Sequence, residues 1–186
     1  NPLDHESHSG AAAKAAYKYS LFGFKGIEFQ FYVQDASITM DAKSNEDILN
    51  YDSVVIAFDS NGNGKAEERD EFHIGMVNGN AVLYKAHAAE TGSSITSGSP
   101  SGTVLDSSYV TVSTANNSSE KRITYTVKIP FSEIAFASNS SSRIKMSIAV
   151  INRDANTIYG AWTFGGGLYN CNPNPAEYGT LYKNAQ

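Results

Sequence analysis

The chain has one cysteine, Cys171, in 186 residues, so no intramolecular disulfide can form. Charge is also scarce. Asp, Glu, Lys and Arg make up 18% of the sequence, below the usual quarter. The formal net charge is -5 and no Lys/Arg cluster occurs. That removes the electrostatic footprint of nucleic-acid binding and of attachment to anionic membranes. No apolar run reaches membrane-spanning length, so membrane insertion is not expected. No signal-peptide pattern opens the sequence, as expected of a mature or excised module. No H-E-x-x-H, G-x-S-x-G or glycine-rich phosphate loop is present, and the carboxylates Asp35, Asp52, Glu71 and Glu133 stand in no catalytic frame. An enzyme is therefore not the expected reading. Tryptophan occurs once, at Trp162.

What is abundant is Ser, Thr, Asn, Gly and aromatic residues, with 11 Tyr and 9 Phe. Short alternating runs recur between turn signals. In Gly26–Gln34, Ile27, Phe29, Phe31 and Val33 point one way and Glu28, Gln30, Tyr32 and Gln34 the other. The same period marks Val54–Phe58, Ile123–Ile129 and Ile144–Ile151. Further strands are expected at Ala15–Phe22, Glu71–Met76, Ala81–His87, Ser108–Ser113, Ile158–Phe164 and Tyr178–Tyr182. Asn78-Gly79 is a hairpin signal. Ser44–Leu49 and Pro130–Ile134 read as short helical turns, and 92–102 as an exposed loop. Nine or ten short strands with almost no helix predict one antiparallel β-sandwich domain, jelly-roll or immunoglobulin-like. Residues 1–16 read as a flexible leader or the approach to the first strand, and 17–186 as the sandwich. Asp4, His5, Glu6 and His8 are metal-ligating residue types, but they fall in that leader. Cys171 reads as a half-buried small residue in a loop.

The segment 59–70 has the spacing of a calcium loop. Asp59, Asn61, Asn63, Glu67 and Asp70 occupy positions 1, 3, 5, 9 and 12, Gly64 falls at the sharp turn, and the Lys65 carbonyl is available at position 7. All donors are oxygens, which suits a hard cation. Strand patterns rather than helices flank the loop, so a structural Ca2+ pinning a hairpin is expected. The alternative is an Asx/Gly turn that binds nothing.

The order of several motifs resembles family 9 carbohydrate-binding modules and the wider DOMON-like group of sugar- and haem-binding sandwiches. The residues that carry the resemblance run through Val33–Ile38 and Tyr51–Asp59, then Asp70–Ile74 and Tyr125–Phe131. They continue through Lys145–Asp154, Ala161-Trp162 and Pro175–Leu181. The resemblance implies a secreted or cell-surface, non-catalytic module. Such a module, calcium-stabilised, tethers a larger multimodular chain to a polysaccharide or oligosaccharide. It also marks departures. The two ring-stacking tryptophans of the family fall at Leu49 and Asn172, the family's arginine falls at His73, and Trp162 matches the structural tryptophan.

Sugars are held by aromatic faces and planar polar groups. The candidate carbohydrate-binding residues are Tyr51, His73, Asn152, Arg153, Trp162 and Tyr169, with Tyr178 close by. If Phe72 and Ile74 face the core, His73 faces outward. Two other readings stay open. One is a haem-binding electron-transfer domain of the same sandwich group, which needs a His/Met or His/His axial pair. His73 and Met76 are three apart on one strand and so face opposite ways. The other is a surface adhesion or structural module without a glycan ligand.

Overall fold

A computed structural model of the chain describes residues 12–20, 23–35, 37–90, 98–117, 121–135, 143–154, 157–168 and 173–182. They form two antiparallel sheets packed face to face. The strands are β1 (Ala12–Ser20), β2 (Gly26–Gln34), β3 (Ser53–Asp59), β4 (Asp70–Val77), β5 (Asn80–His87) and β6 (Thr103–Val104). They continue with β7 (Val110–Asn116), β8 (Lys121–Pro130), β9 (Arg143–Asp154), β10 (Thr157–Phe164) and β11 (Gly179–Tyr182). One sheet has the order β1-β2-β8-β7 and the other β10-β9-β3-β4-β5-β6. β9 is twelve residues long and shares one edge between two partners. β11 pairs its first part, from Arg143 to Met146, and β10 its second, from Ile148 to Asp154. Among the described residues no helix is long and apolar enough to cross a membrane.

The period-2 alternation places the core as expected. Ile27, Phe29, Phe31 and Val33 of β2 and Ile123, Tyr125, Val127 and Ile129 of β8 face inward from the first sheet. Val54, Ile56 and Phe58 of β3, Phe72 and Ile74 of β4 and Ile144, Met146, Ile148 and Val150 of β9 face them from the second. Phe29 stacks on Phe31, and Phe58 meets Phe72 edge-on with centroids 6.1 Å apart. Each such side chain contributes about 1.5–3 kcal/mol through burial. β4 and β5 meet at Asn78-Gly79, with φ of 49° and 78°, the two left-handed residues that a tight hairpin requires.

Two expectations shift. β1 begins at Ala12, so the boundary drawn after residue 16 cuts through a strand that pairs with β2 along its whole length. Every residue of β3 is buried, not alternate ones. Its second face is covered, and that covering builds the candidate site.

Candidate functional site

Two segments fold over the outer face of the seven-stranded sheet. The first, residues 37–52, is stapled at both ends. Asp52 is the staple beside β9. Its Oδ2 accepts the Thr39 N–H at 2.6 Å and its Oδ1 the Arg153 N–H at 3.0 Å. Thr39 Oγ1 donates to the Arg153 carbonyl at 2.7 Å, and Arg153 Nη1 to the Leu49 carbonyl at 3.1 Å. Burial pushes the Asp52 carboxyl up to about 7. The two backbone N–H groups pull it down, and the adjacent buried carboxyl of Asp35 pushes it further up. At the other end Ala42 bridges Val77, and Tyr84 Oη donates to Glu46 at 3.2 Å. Between the staples Ile48 is buried against Gly75, where a Cβ would lie 2.9 Å from Ile48 Cγ2. Ala42, Ile48, Val77, Val82 and Tyr84 form a small second core, with Leu49 and Tyr51 against it.

The second cover, whose described residues are 164–168 and 173–178, lies over the opposite end of the face. Ser147 Oγ donates to the Phe164 carbonyl at 3.1 Å, and the Gly166 N–H to the Glu177 carbonyl at 2.9 Å. Gly165 packs so closely on Gly179 that a Cβ there would meet its nitrogen at 2.7 Å.

A charged cluster lies on this face. Glu71 Oε2 accepts from Arg69 Nε at 2.8 Å, and Glu71 Oε1 is 2.8 Å from His73 Nε2. The three side chains are only 11–13% exposed. Burial alone would raise the Glu71 carboxyl. The His73 hydrogen bond and charge, then the Arg69 guanidinium, outweigh it and hold the carboxyl at about 2. Tyr178 lies within reach of this cluster. Its hydroxyl is pushed above the usual range by burial and by the Glu71 charge. His73 Nδ1, Arg153 Nε and the Tyr178 hydroxyl are buried without a hydrogen-bond partner among the described residues, as is Ser60 Oγ just beyond β3. Each such group costs about 1–3 kcal/mol if left dry. The first three belong to the covered face and its two flanking segments.

The structure therefore brings Tyr51, His73 and Arg153 to one face, and His73 faces outward as the alternation predicts, beside Tyr84 at 6.1 Å. Asn152 is a correction. It is 7% exposed and alternates with Arg153, on the side of β9 that Val150 and Ile148 turn toward the other sheet. Trp162 sits opposite Val150 in register. Its side chain, like all of Tyr169 and Cys171, lies outside the described residues. Asp4, His5, Glu6 and His8 also lie outside them. Arg69 and Glu71 were not singled out as binding residues. The signal was the spacing Arg69, Glu71, His73, which puts three polar groups on one side of a strand.

The calcium-like loop divides in two. Asp59 ends β3 fully buried; its oxygens accept the N–H groups of Gly62 and Gly64, both at 2.9 Å. Gly64 turns with φ of 77°, as the spacing predicts. Asn61 and Asn63 oxygens accept the N–H groups of Asn63 and Lys65. Their amide nitrogens donate to Glu68 Oε2 at 2.6 and 2.8 Å, and Lys65 Nζ pairs with Glu68 Oε1 at 2.8 Å. Glu68, not the exposed Glu67, is the carboxylate turned to the loop. The Lys65 carbonyl accepts the Glu68 N–H at 3.2 Å. Asp70 is 1% exposed and belongs to a separate network with Lys85, Ala89 and Ala135. The six donors read from the spacing are thus not gathered around one point. A cation would require Lys65 to leave Glu68 and both amides to turn their oxygens inward.

The haem pair is also divided. His73 and Met76 lie on opposite faces of β4, Met146 is in the core, and His87 Nδ1 is bound to the Arg69 carbonyl at 2.8 Å.

No protein-family model matches the sequence, and no curated protein matches it. Among solved structures, the fold is similar to two of a family 9 carbohydrate-binding module from Caldicellulosiruptor kristjanssonii. The complex with cellotriose has a TM-score of 0.52 and 12% identity, over 95% of this chain and 76% of that one. The complex with glucose has a TM-score of 0.50 and 13% identity, over 98% and 90%. The architecture of this chain thus resembles that of family 9 carbohydrate-binding modules, as one antiparallel β-sandwich.

Proposed function

We propose that the domain is a non-catalytic carbohydrate-binding module that receives a glucan-like oligosaccharide or polysaccharide chain on the outer face of the seven-stranded sheet. The observation that carries this reading is the set of buried, unpartnered polar atoms at His73, Arg153 and Tyr178 on a face bordered by Tyr51 and Tyr84. Sugar hydroxyls satisfy such groups, and aromatic rings take the C–H faces. The fold shared with modules solved with cellotriose and glucose supports the ligand class. The Ser/Thr/Asn-rich, low-charge composition supports a place outside the cell or on its surface, where the module tethers a larger chain to polysaccharide.

Calcium belongs to this proposal in a narrower form, on Asp59, Asn61, Asn63 and Glu68. Its support is the buried Asp59 carboxylate, which has no ion pair among the described residues.

The test of binding is titration calorimetry and affinity electrophoresis against cello-oligosaccharides and a panel of soluble glycans. Saturable binding that is weakened in Tyr178→Phe, whose hydroxyl has no partner among the described residues, with the melting temperature kept supports the reading. No retention on any glycan of the panel hands the chain to the adhesion or structural reading.

A further inference from the structure

Away from that face the molecule buries a whole lysine. Lys85 of β5 is 0% exposed and sits opposite Phe72 in register, toward the core. Its Nζ lies 3.3 Å from Asp70 Oδ1 and 3.4 Å from Glu133 Oε2, and donates to the Glu133 carbonyl at 2.8 Å. The Phe72 ring closes over it, with its centroid 5.6 Å from Nζ. Asp70 is 1% exposed, and backbone donors point at both its oxygens, Ala89 N–H to Oδ1 at 3.1 Å and Ala135 N–H to Oδ2 at 2.7 Å. Glu133 is fixed in turn by the Ser99 N–H at 2.7 Å.

An amine, a carboxyl group and a second carboxylate are thus held together in a water-poor pocket under an aromatic ring. The geometry points to a self-formed amide cross-link between Lys85 Nζ and Asp70 Cγ, with Glu133 as the proton relay. The ammonium passes one proton to Glu133. The freed amine attacks Asp70 Cγ, whose Oδ2 takes the developing negative charge under the Ala135 N–H, as an oxyanion site requires. The C–N bond forms and the bond from Cγ to the oxygen nearer the amine breaks. Glu133 returns its proton to that departing oxygen, and a second amine proton goes with it. One ammonium and one carboxylate become one amide and one water, so the balance closes with no oxidant and no co-reactant.

Two physical terms favour the step. Fixing the reacting groups in contact replaces a bimolecular collision by an intramolecular one, worth effective molarities of about 10⁵ M or more in well-oriented cases. The product also removes two charges from a site where ion pairs recover their desolvation poorly. With a single cysteine, the chain has no disulfide route to an internal covalent tie.

The experiment is intact-mass spectrometry of the folded, purified wild-type chain after denaturation. The expected mass is that of the sequence less one water. A protease digest should yield one branched peptide joining Asp70 to Lys85, with no tryptic cleavage after Lys85. Lys85→Arg and Glu133→Gln should return to the full mass. A folded wild-type chain at the full sequence mass overturns the cross-link, and so does a water loss that persists in Lys85→Arg. The wild-type measurement stands even if a variant fails to fold.

Discussion

Stability should fall as the pH rises from 5 to 8, and the Asp35/Asp52 pair is the reason. Asp52 is 2% exposed, Asp35 is 3% exposed, and burial with mutual repulsion brings the Asp52 carboxyl from its ordinary 3.8 to about 7. Its folded value lies above its unfolded one, so the native state holds the extra proton between those limits. The contribution is complete below about pH 4 and is lost as pH rises through 7. At about 1.4 kcal/mol per pH unit over roughly three units, the loss approaches ~4 kcal/mol, a ceiling that water entry would lower. Glu71 works in the other direction. Its folded value of about 2 lies below the ordinary 4.5, so its contribution is present above 4.5 and is lost as the solution is acidified toward 2. The window from 5 to 8 is therefore free of the Glu71 effect. Asp52→Asn removes the charge and keeps the acceptor for the Arg153 N–H. It sacrifices the 2.6 Å bond from the Thr39 N–H, at about 1–3 kcal/mol. Urea melts at half-unit pH steps should give curves that cross: the variant weaker at pH 5, and equal or stronger at pH 8. Parallel curves for wild type and variant would refute the assignment.

Three further outcomes follow from the same geometry. Tyr178→Phe removes a buried hydroxyl without a partner, so it should keep or raise the ligand-free melting temperature while weakening glycan binding several-fold by calorimetry; a drop in stability would mean the hydroxyl is already satisfied. Chelation should lower the melting temperature of wild type and leave Asp59→Asn unmoved if the loop holds calcium, a site at tenfold its Kd adding about 1.4 kcal/mol; an unchanged wild type, with no metal by elemental analysis, removes calcium from the account. Ile48→Ala should cost about 2–4 kcal/mol in urea melts by opening a void against Gly75, and a cost under 1 kcal/mol would show that segment 37–52 is not pinned as described.

The strands of the core were legible because alternation is a local property. Ile27 to Val33 and Ile123 to Ile129 declare their inward face without reference to any partner, and both are buried as read. Sidedness also put His73 outward. The same alternation, carried to the end of β9, puts Asn152 on the side of Ile148 and Val150. The calcium set is gathered only in part. Its spacing presumes a loop that continues into a helix and brings position 12 back to the cation. Here the chain enters β4 at Asp70, and an extended strand turns that carboxylate toward Lys85. Lys85 itself carries no sequence mark of burial, since its partners Asp70 and Glu133 are 15 and 48 positions away.

The two sheets also divide the work in a way alternation alone does not express. The outer face of the four-stranded sheet is left to solvent, with Gln30, Tyr32 and Gln34 exposed along β2. Backbone polar groups there are satisfied by the ladder, and the side chains need nothing further. The outer face of β3 is instead apolar, with Val55 and Ala57 buried, and could not face water without cost. Segment 37–52 and the second cover, described at 164–168 and 173–178, remove that cost by covering it, but each brings polar groups into a dry space. Asp52, Glu71 and Ser147 find partners there. His73 Nδ1, Arg153 Nε and the Tyr178 hydroxyl do not. A face covered only for stability would gain by replacing the Tyr178 hydroxyl with an apolar group, whereas His73 and Arg153 are held by Glu71 and the Leu49 carbonyl and each leave one nitrogen over. The three unpartnered atoms at the borders of the two covers are what a bound polar ligand would satisfy. Glycan binding should accordingly raise the melting temperature, and it should do so less in Tyr178→Phe than in wild type.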